Sequence, residues 1–370
     1  MKTHGVKTLV AAAVICLAAA FSAAAEDRIQ LAILLDTSNS MDGLIEQAKS
    51  QLWKVVNELA RAKHNGKTPS LEVALFQYGN NDIPEATGYI RMVSGLTTDL
   101  DKISQELFTL TTNGGDEYCG MVIGKAVDGL AWSAAKDALK VIYIAGNEPF
   151  TQGSVSFKTT CARAIAKGIA VNTIFCGSNQ EGADTFWKAG AELADGRYMS
   201  IDQNQVVAEV ATPYDTEIVR MGGELNATYV AFGSAGAASK ERQAEQDTNA
   251  AAMGAPVMVQ RSVAKAQTVY ANSSWDLVDA VQNKTVEVSK LKAEELPQEM
   301  RTMSPTEKEK YVKDLAAKRT EIQKKINVLN EQRRVFVAEY QKKNAAENTL
   351  DQAILSSVKE QAEKKGYVIQ

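Results

Sequence analysis

Histidine is almost missing from this chain: of 370 residues two are histidines, His4 and His64. Mechanisms that need an imidazole base, Ser/His/Asp or Cys/His, therefore have no good candidate outside the N-terminal segment. His64 lies in the charged stretch 63–69 and reads as a solvated loop residue. Cysteine is sparse too, at four residues, and no CxxC spacing or nearby histidine points to zinc. An excess of positive charge is absent: the formal net charge is −4, which leaves no electrostatic footprint for nucleic acid. Apart from residues 8–21 there is no long apolar run, and that one is too short to span a bilayer comfortably.

Lys2 and Lys7 precede the apolar run, and Ala23 with Ala25 supplies an A-x-A cleavage signature. Residues 1–25 are expected to be a signal peptide cleaved after Ala25, giving a periplasmic or secreted product with no membrane span. Cys16 follows Ile15 rather than the small residues of a lipoprotein site. In an oxidising compartment the remaining Cys119, Cys161 and Cys176 suggest one disulfide and one leftover thiol. Cys161 begins a helix and Cys176 ends the next strand, which places both on one rim of a sheet. Cys161 with Cys176 is the first pairing expected, and Cys119 with Cys161 the alternative.

What the chain does contain is organised around Leu31 to Met41, LAILLDTSNSM. The apolar run reads as a central strand buried on both faces, ending in a burst of oxygen-bearing side chains. Asp36, Ser38 and Ser40 can turn hard oxygens toward one point, as Mg²⁺ or Ca²⁺ requires. The same residues also suit the N-cap of a following helix. Downstream, strands at Leu71–Tyr78, Tyr89–Val93, Val141–Ala145, Ala170–Phe175 and Arg197–Ser200 alternate with amphipathic helices. That alternation predicts an α/β fold: a mostly parallel sheet, one antiparallel edge strand at Tyr89–Val93, and helices on both faces.

The D-x-S-x-S strand end, the LEVALFQY strand, a GG loop before a helix and the VIYIAGNE strand together resemble a von Willebrand factor type A domain. The resemblance implies a Rossmann-like fold and a metal-ion-dependent adhesion site at the carboxyl rim of the sheet. There a D-x-S-x-S motif, a threonine and an aspartate surround a divalent cation. Asp36, Ser38 and Ser40 match the first element. Where the family has a threonine after GG this chain has Asp116, followed by Glu117; where it has an aspartate this chain has Gly146, and Glu148 stands two residues on. Thr111 or Thr112 is an alternative source of a hydroxyl. The expected metal set is thus Asp36, Ser38, Ser40, Asp116 and Glu148. Extra carboxylates largely neutralise the ion and shift preference from Mg²⁺ toward Ca²⁺. A second reading leaves the site without metal, with Asp116 and Glu117 merely opening the helix at Cys119. Phe150 and Tyr118 either form a contact surface beside the site or pack inward.

The expected domains are a type A domain at 26–212, a mixed connecting segment at 213–274 and a helical hairpin or coiled-coil region at 275–370. Trp275–Leu291 reads as a helix, and Ser304, Pro305 and Glu307 as a capping-box start. Leu315, Arg319, Ile322, Ile326, Leu329, Arg333, Phe336 and Tyr340 then form a heptad seam, with the Trp275–Leu291 helix as its antiparallel partner and self-association as the rival. The architecture is similar to bacterial periplasmic proteins that carry this domain. The expected function is non-enzymatic binding of a protein partner through a divalent-cation site. The alternatives are a metal-dependent hydrolase using Glu117 or Glu148 as base, and an assembly protein acting through the helical arm.

Overall fold

Alternation along Arg28–Asp36 (β1) sets the layering of the molecule. Ile29, Leu31 and Leu35 face one apolar core and Ala32 with Leu34 the other, because successive strand residues point to opposite faces. This is a computed structural model, and it describes residues 27–202, 204, 210–341 and 350–369. The expected leader, with His4 and Cys16, lies outside the described residues.

After β1 come α1 (Asp42–Leu59), the two-residue strand β2 (Ala62–Lys63), β3 (Ser70–Tyr78), β4 (Ile90–Thr97), α2 (Leu100–Thr109) and α3 (Cys119–Gly129). Then follow β5 (Leu139–Gly146), α4 (Phe157–Ala166), β6 (Ala170–Cys176), α5 (Asn179–Asp184), α6 (Trp187–Glu192) and β7 (Tyr198–Ile201). The sheet order is β4-β3-β1-β5-β6-β7; β4 is antiparallel to β3 and every other pairing is parallel. The expected α/β fold with one antiparallel edge strand is the observed one. One face is covered by α3, α4 and α6, the other by α1 and α2.

The second half is also helical: α7 (Asp215–Asn226), α8 (Gly236–Ala252), α9 (Ala255–Lys265), α10 (Leu277–Gln282), α11 (Pro305–Gln341) and α12 (Leu350–Lys364), closed by strand β8 (Val368–Ile369). These elements do not stand apart as an arm. Ile218, Leu225, Val259, Val263, Ile322, Ile326, Val358 and Ala362 belong to the same buried core as Leu31 and Leu52. Helix α1 joins the two halves, with Trp53 carrying the Arg261 guanidinium 4.3 Å from its ring and Asn57 donating to the Gln260 side chain at 2.8 Å. Helix α12 lies on the sheet against β5, β6 and β7, and β8 pairs antiparallel with β2.

Several expectations change. Trp275–Leu291 is not one helix: α10 is followed by short 3-10 turns, and the seam of α11 is buried mainly by α7, α9 and α10. Arg319 and Arg333, counted at seam positions, are anchors. Arg319 stacks on Tyr229 at 4.1 Å and donates to Asp276 at 2.6 Å, and Arg333 donates to Asp215 at 3.0 Å. The capping box is present, with the Ser304 amide donating to Glu307 at 2.8 Å and the Glu307 amide to the Ser304 hydroxyl at 3.3 Å.

Neither expected disulfide forms; Cys119, Cys161 and Cys176 are free and buried. Cys161 packs on the α3/α4 face, whereas Cys176 points into the opposite core, so the sheet stands between them. Phe175, one residue earlier, faces the α4 side, and that one-residue parity decides the matter. Cys119 shares the face of Cys161, but its sulfur is turned to the Tyr78 hydroxyl at 4.0 Å. His64 is buried, not solvated, with its ring stacked on Tyr367.

Candidate metal centre

Asp36 is the last residue of β1 and, being on the even parity of that strand, turns toward the α3 face beside Tyr78. The chain then kinks: the Ser38 amide donates back to Asp36 Oδ1 at 2.8 Å, and the Met41 amide to the Ser38 carbonyl at 3.0 Å. This turn brings the Ser38 and Ser40 hydroxyls to 3.4 Å from one another. No capping bond from Ser38 to the following helix forms, so the motif is not spent on an N-cap.

Asp36 is fully buried, and its Oδ2 has no hydrogen-bond partner. A buried carboxylate oxygen left alone is costly and points to a missing partner. Burial pushes its pKa up to about 7, against the smaller opposing pull of the Ser38 amide and hydroxyl; the nearby Glu148 carboxylate raises it further.

The loop after β3 completes the floor. Gly79 has φ +75°, and a Cβ there would stand 2.8 Å from both Asp36 Oδ1 and Glu117 Cγ. A side chain at position 79 would fill the space in which those two acids approach. Glu117 is held by its amide, which donates to the Gln152 side chain at 2.8 Å. Its own carboxyl is pushed up to about 8, first by burial, then by the charges of Asp36 and Glu148.

Of the expected ligands, the structure gathers Asp36, Ser38, Ser40 and Glu148 at this rim and turns Asp116 away. Asp116 is exposed and accepts from the Tyr118 hydroxyl at 2.9 Å, while its neighbour Glu117 is 5% exposed and faces Asp36. The turn-by-turn path of Gly114–Gly115 decides which of two adjacent acids points inward. Spacing alone carries no such information. Thr112 is engaged with Asp42. Phe150 packs inward against Phe157 and Trp187, and the Trp187 indole donates to the Glu148 carbonyl at 2.8 Å.

Gly146 occupies the position of the family's aspartate. A Cβ there would be 2.5 Å from the Tyr78 hydroxyl and 2.9 Å from Asp36 Oδ2. Asn147 instead reaches the rim, donating to Ser40 at 3.1 Å, and its Oδ1 is buried without a partner. Gly146→Ala is expected to cost about 1–3 kcal/mol in urea unfolding, since Tyr78 is held by the Ala145 carbonyl at 2.9 Å and cannot yield freely. An unchanged midpoint would show that the rim is looser than this geometry.

The donor set fits a hard divalent cation: two carboxylates with raised pKa, a third nearby, two hydroxyls and an orphaned amide oxygen. It is an open set, since these carboxylates do not draw to within 4.8 Å of one another in the way a group at Asp27, His64 and Asp137 does.

A strand ending in D-x-S-x-S, flanked by a parallel neighbour on each side and closed by the GG loop, is the decisive arrangement, and residues 30–185 match the sequence model described as von Willebrand factor type A domain. Residues 30–185 are a type A domain. Among solved structures, the chain is similar to proximal thread matrix protein 1 from the mussel byssus with a zinc-occupied MIDAS motif, at 14% identity over 49% of this chain and 43% of that one, TM-score 0.36. It is also similar to the conserved hypothetical protein BatB from Bacteroides thetaiotaomicron, at 15% identity over 47% of this chain and 90% of that one, TM-score 0.36. The SpRpn10 VWA domain matches at 19% identity over 48% of this chain and 98% of that one, TM-score 0.36. The chain thus spans less than half the length of the mussel protein. No curated protein sequence matches it. No helix among the described residues is long and apolar enough to cross a membrane.

Proposed function

We propose that this is an exported, non-enzymatic binding protein whose type A domain uses a divalent cation at the carboxyl rim to shape a protein-binding surface. Asp36, Ser38, Ser40, Glu117 and Glu148 would hold the ion, with Asp116 outside the set. The observation that carries the reading is the buried, unpartnered Oδ2 of Asp36 beside two motif hydroxyls. Asp36, Glu117 and Glu148 set three carboxylates against a +2 ion, so its charge is more than offset and the site favours Ca²⁺ over Mg²⁺. A partner then binds a rim ordered by the metal, with only weak capture of its own acidic groups. Export rests on the N-terminal leader pattern of residues 1–25.

Calorimetric titration of the chelator-treated protein tests this directly. Ca²⁺ is expected to bind more tightly than Mg²⁺, and Asp36→Ala to weaken Ca²⁺ binding by about a hundredfold or more. No heat and no change in melting temperature with either ion would overturn the metal reading. Recovery of the same partners from periplasmic extract by wild type and Asp36→Ala would remove the metal from the binding step.

The pH dependence has a definite sign. Asp36 and Glu117 have folded-state pKa values raised to about 7 and 8. Their contribution to the stability of the metal-free protein is present in full below about pH 4 and lost as pH rises through those values. The metal-free melting temperature is therefore expected to fall between pH 5 and 8, and saturating Ca²⁺ to flatten that fall.

A further inference from the structure

At the pole of the sheet opposite the rim three segments meet: Asp27 immediately precedes β1, His64 follows β2, and Asp137 precedes β5. One ligand atom from each lies within 4.8 Å of the other two, and His64 Nδ1 is 2.9 Å from Asp27 Oδ1. We propose that Asp27, His64 and Asp137 form a second cation site, of the zinc class, separate from the rim site and unrelated in its donor chemistry.

The imidazole is built in rather than adrift. His64 is 7% exposed, and its ring stacks on Tyr367 at 4.4 Å between centroids, 21° from parallel. The Tyr367 hydroxyl donates to the carbonyls of Arg28 and Asp137, both at 3.1 Å, which ties the stacking partner to the backbone beside each acid. Strand β8 pairs with β2 next to it, Ile369 with Ala62 and Val368 with Lys63. The ring orientation is therefore fixed by packing before any ligand arrives. Asp137 is exposed and gives an ion a way in.

Charge points the same way. His64 Nδ1 stands against the Asp27 carboxylate, and no lysine or arginine pair to Asp27 or Asp137 occurs among the described residues. Two carboxylates thus share one imidazole, an arrangement a cation would relieve. A nitrogen with two carboxylate oxygens suits Zn²⁺, with bonds of about 2.0–2.2 Å and water as a fourth ligand. Mg²⁺ and Ca²⁺ seek oxygen alone and gain nothing from the imidazole. The ligand atoms, within 4.8 Å of one another, would have to draw together around Zn²⁺, and the Asn65 amide, 3.3 Å from the same His64 nitrogen, would turn aside. A metal here would clip the start of β1, the β2 turn and the segment before β5 together, beside strand β8.

The test uses the full chain in the Asp36→Ala background, so that the rim cannot contribute. Zinc calorimetry is expected to give one ion per chain, and adding Asp137→Asn to lower the affinity at least about tenfold. Mg²⁺ should give no heat in either protein. Because Asp137 is exposed, its substitution leaves the packing around His64 intact; Co²⁺ substitution supplies a second readout, a visible absorption band in Asp36→Ala that Asp137→Asn removes. Absence of Zn²⁺ binding in Asp36→Ala, or binding unchanged by Asp137→Asn, would overturn the proposal. The rim reading stands or falls separately, on Ca²⁺ binding by the protein with Asp36 intact.

Discussion

Deleting residues 342–370 is expected to abolish the soluble folded state rather than release a separable arm. Ile354, Val358 and Tyr367 are buried at 5%, 1% and 1% exposure, and Ala362 is fully covered. Burying such side chains is worth about 1.5–3 kcal/mol each for the large ones, so their loss approaches the roughly 5–15 kcal/mol that holds a whole domain together. Polar groups would be stranded as well. The Tyr143 hydroxyl, in the middle of β5, sits 2.8 Å from Ser357 Oγ and donates to the Ile354 carbonyl at 3.1 Å. Asn172 on β6 exchanges bonds with Gln361 at 3.1 and 2.8 Å. Expression of the truncated chain with far-UV dichroism and urea unfolding checks this; a soluble product with an unchanged midpoint would show that α12 is dispensable. Val358→Asp, which leaves the chain length intact, should reproduce most of the loss.

Arg261→Met is the second large effect, at about 3–5 kcal/mol of lost stability. Arg261 is fully buried between the two halves of the molecule and pairs with Asp101 on α2 and with Asp247 on α8, the latter at 2.9 Å. The Tyr270 hydroxyl also donates to Asp101, and Lys265 pairs with Asp247 at 2.6 Å. Removing the guanidinium leaves the Asp101 carboxylate buried with one neutral donor, and that uncompensated charge is the main cost. Adding Asp101→Asn to Arg261→Met should therefore return part of the stability, giving a favourable coupling in a double-mutant cycle. A loss below about 1 kcal/mol for Arg261→Met would mean that the two halves are not locked by this network.

Much of the type A domain was legible because its signals are local. Apolar residues on both parities of β1 require a strand covered on both faces, and the shift to helical periodicity after Ser40 requires a crossover. The capping box at Ser304–Glu307 needs only four residues and is found as read. Helix α9 was not anticipated: beside Val257, Val259 and Val263 its buried positions include Gln260, Arg261, Ser262 and Lys265, and these polar residues on the inner face interrupt the hydrophobic periodicity.

The seam on α11 shows the limit from the other side. Its three-and-four spacing is real, and Ile322 and Ile326 are buried as expected. The pattern identifies a face, but nothing in it says whether that face meets one long helix or several short ones. Arg319 and Arg333 held the missing information: a cation at a buried position needs an acid, and the acids are Asp276, Asp279 and Asp215, 43, 40 and 118 residues away in the chain.

The opening stretch, Leu31 to Met41, separates the two kinds of knowledge. By itself the sequence determined that a central strand ends in Asp36, Ser38 and Ser40, because side-chain polarity at a period of two is written residue by residue. Only the tertiary structure decided that Glu117 rather than Asp116 joins them, that Gly146 leaves Asp36 Oδ2 unpartnered, and that α12 covers the sheet beneath. Each of these depends on where distant segments meet. A difference of one residue in a loop or strand reverses the direction of a side chain, and contacts between distant segments leave no periodicity to read.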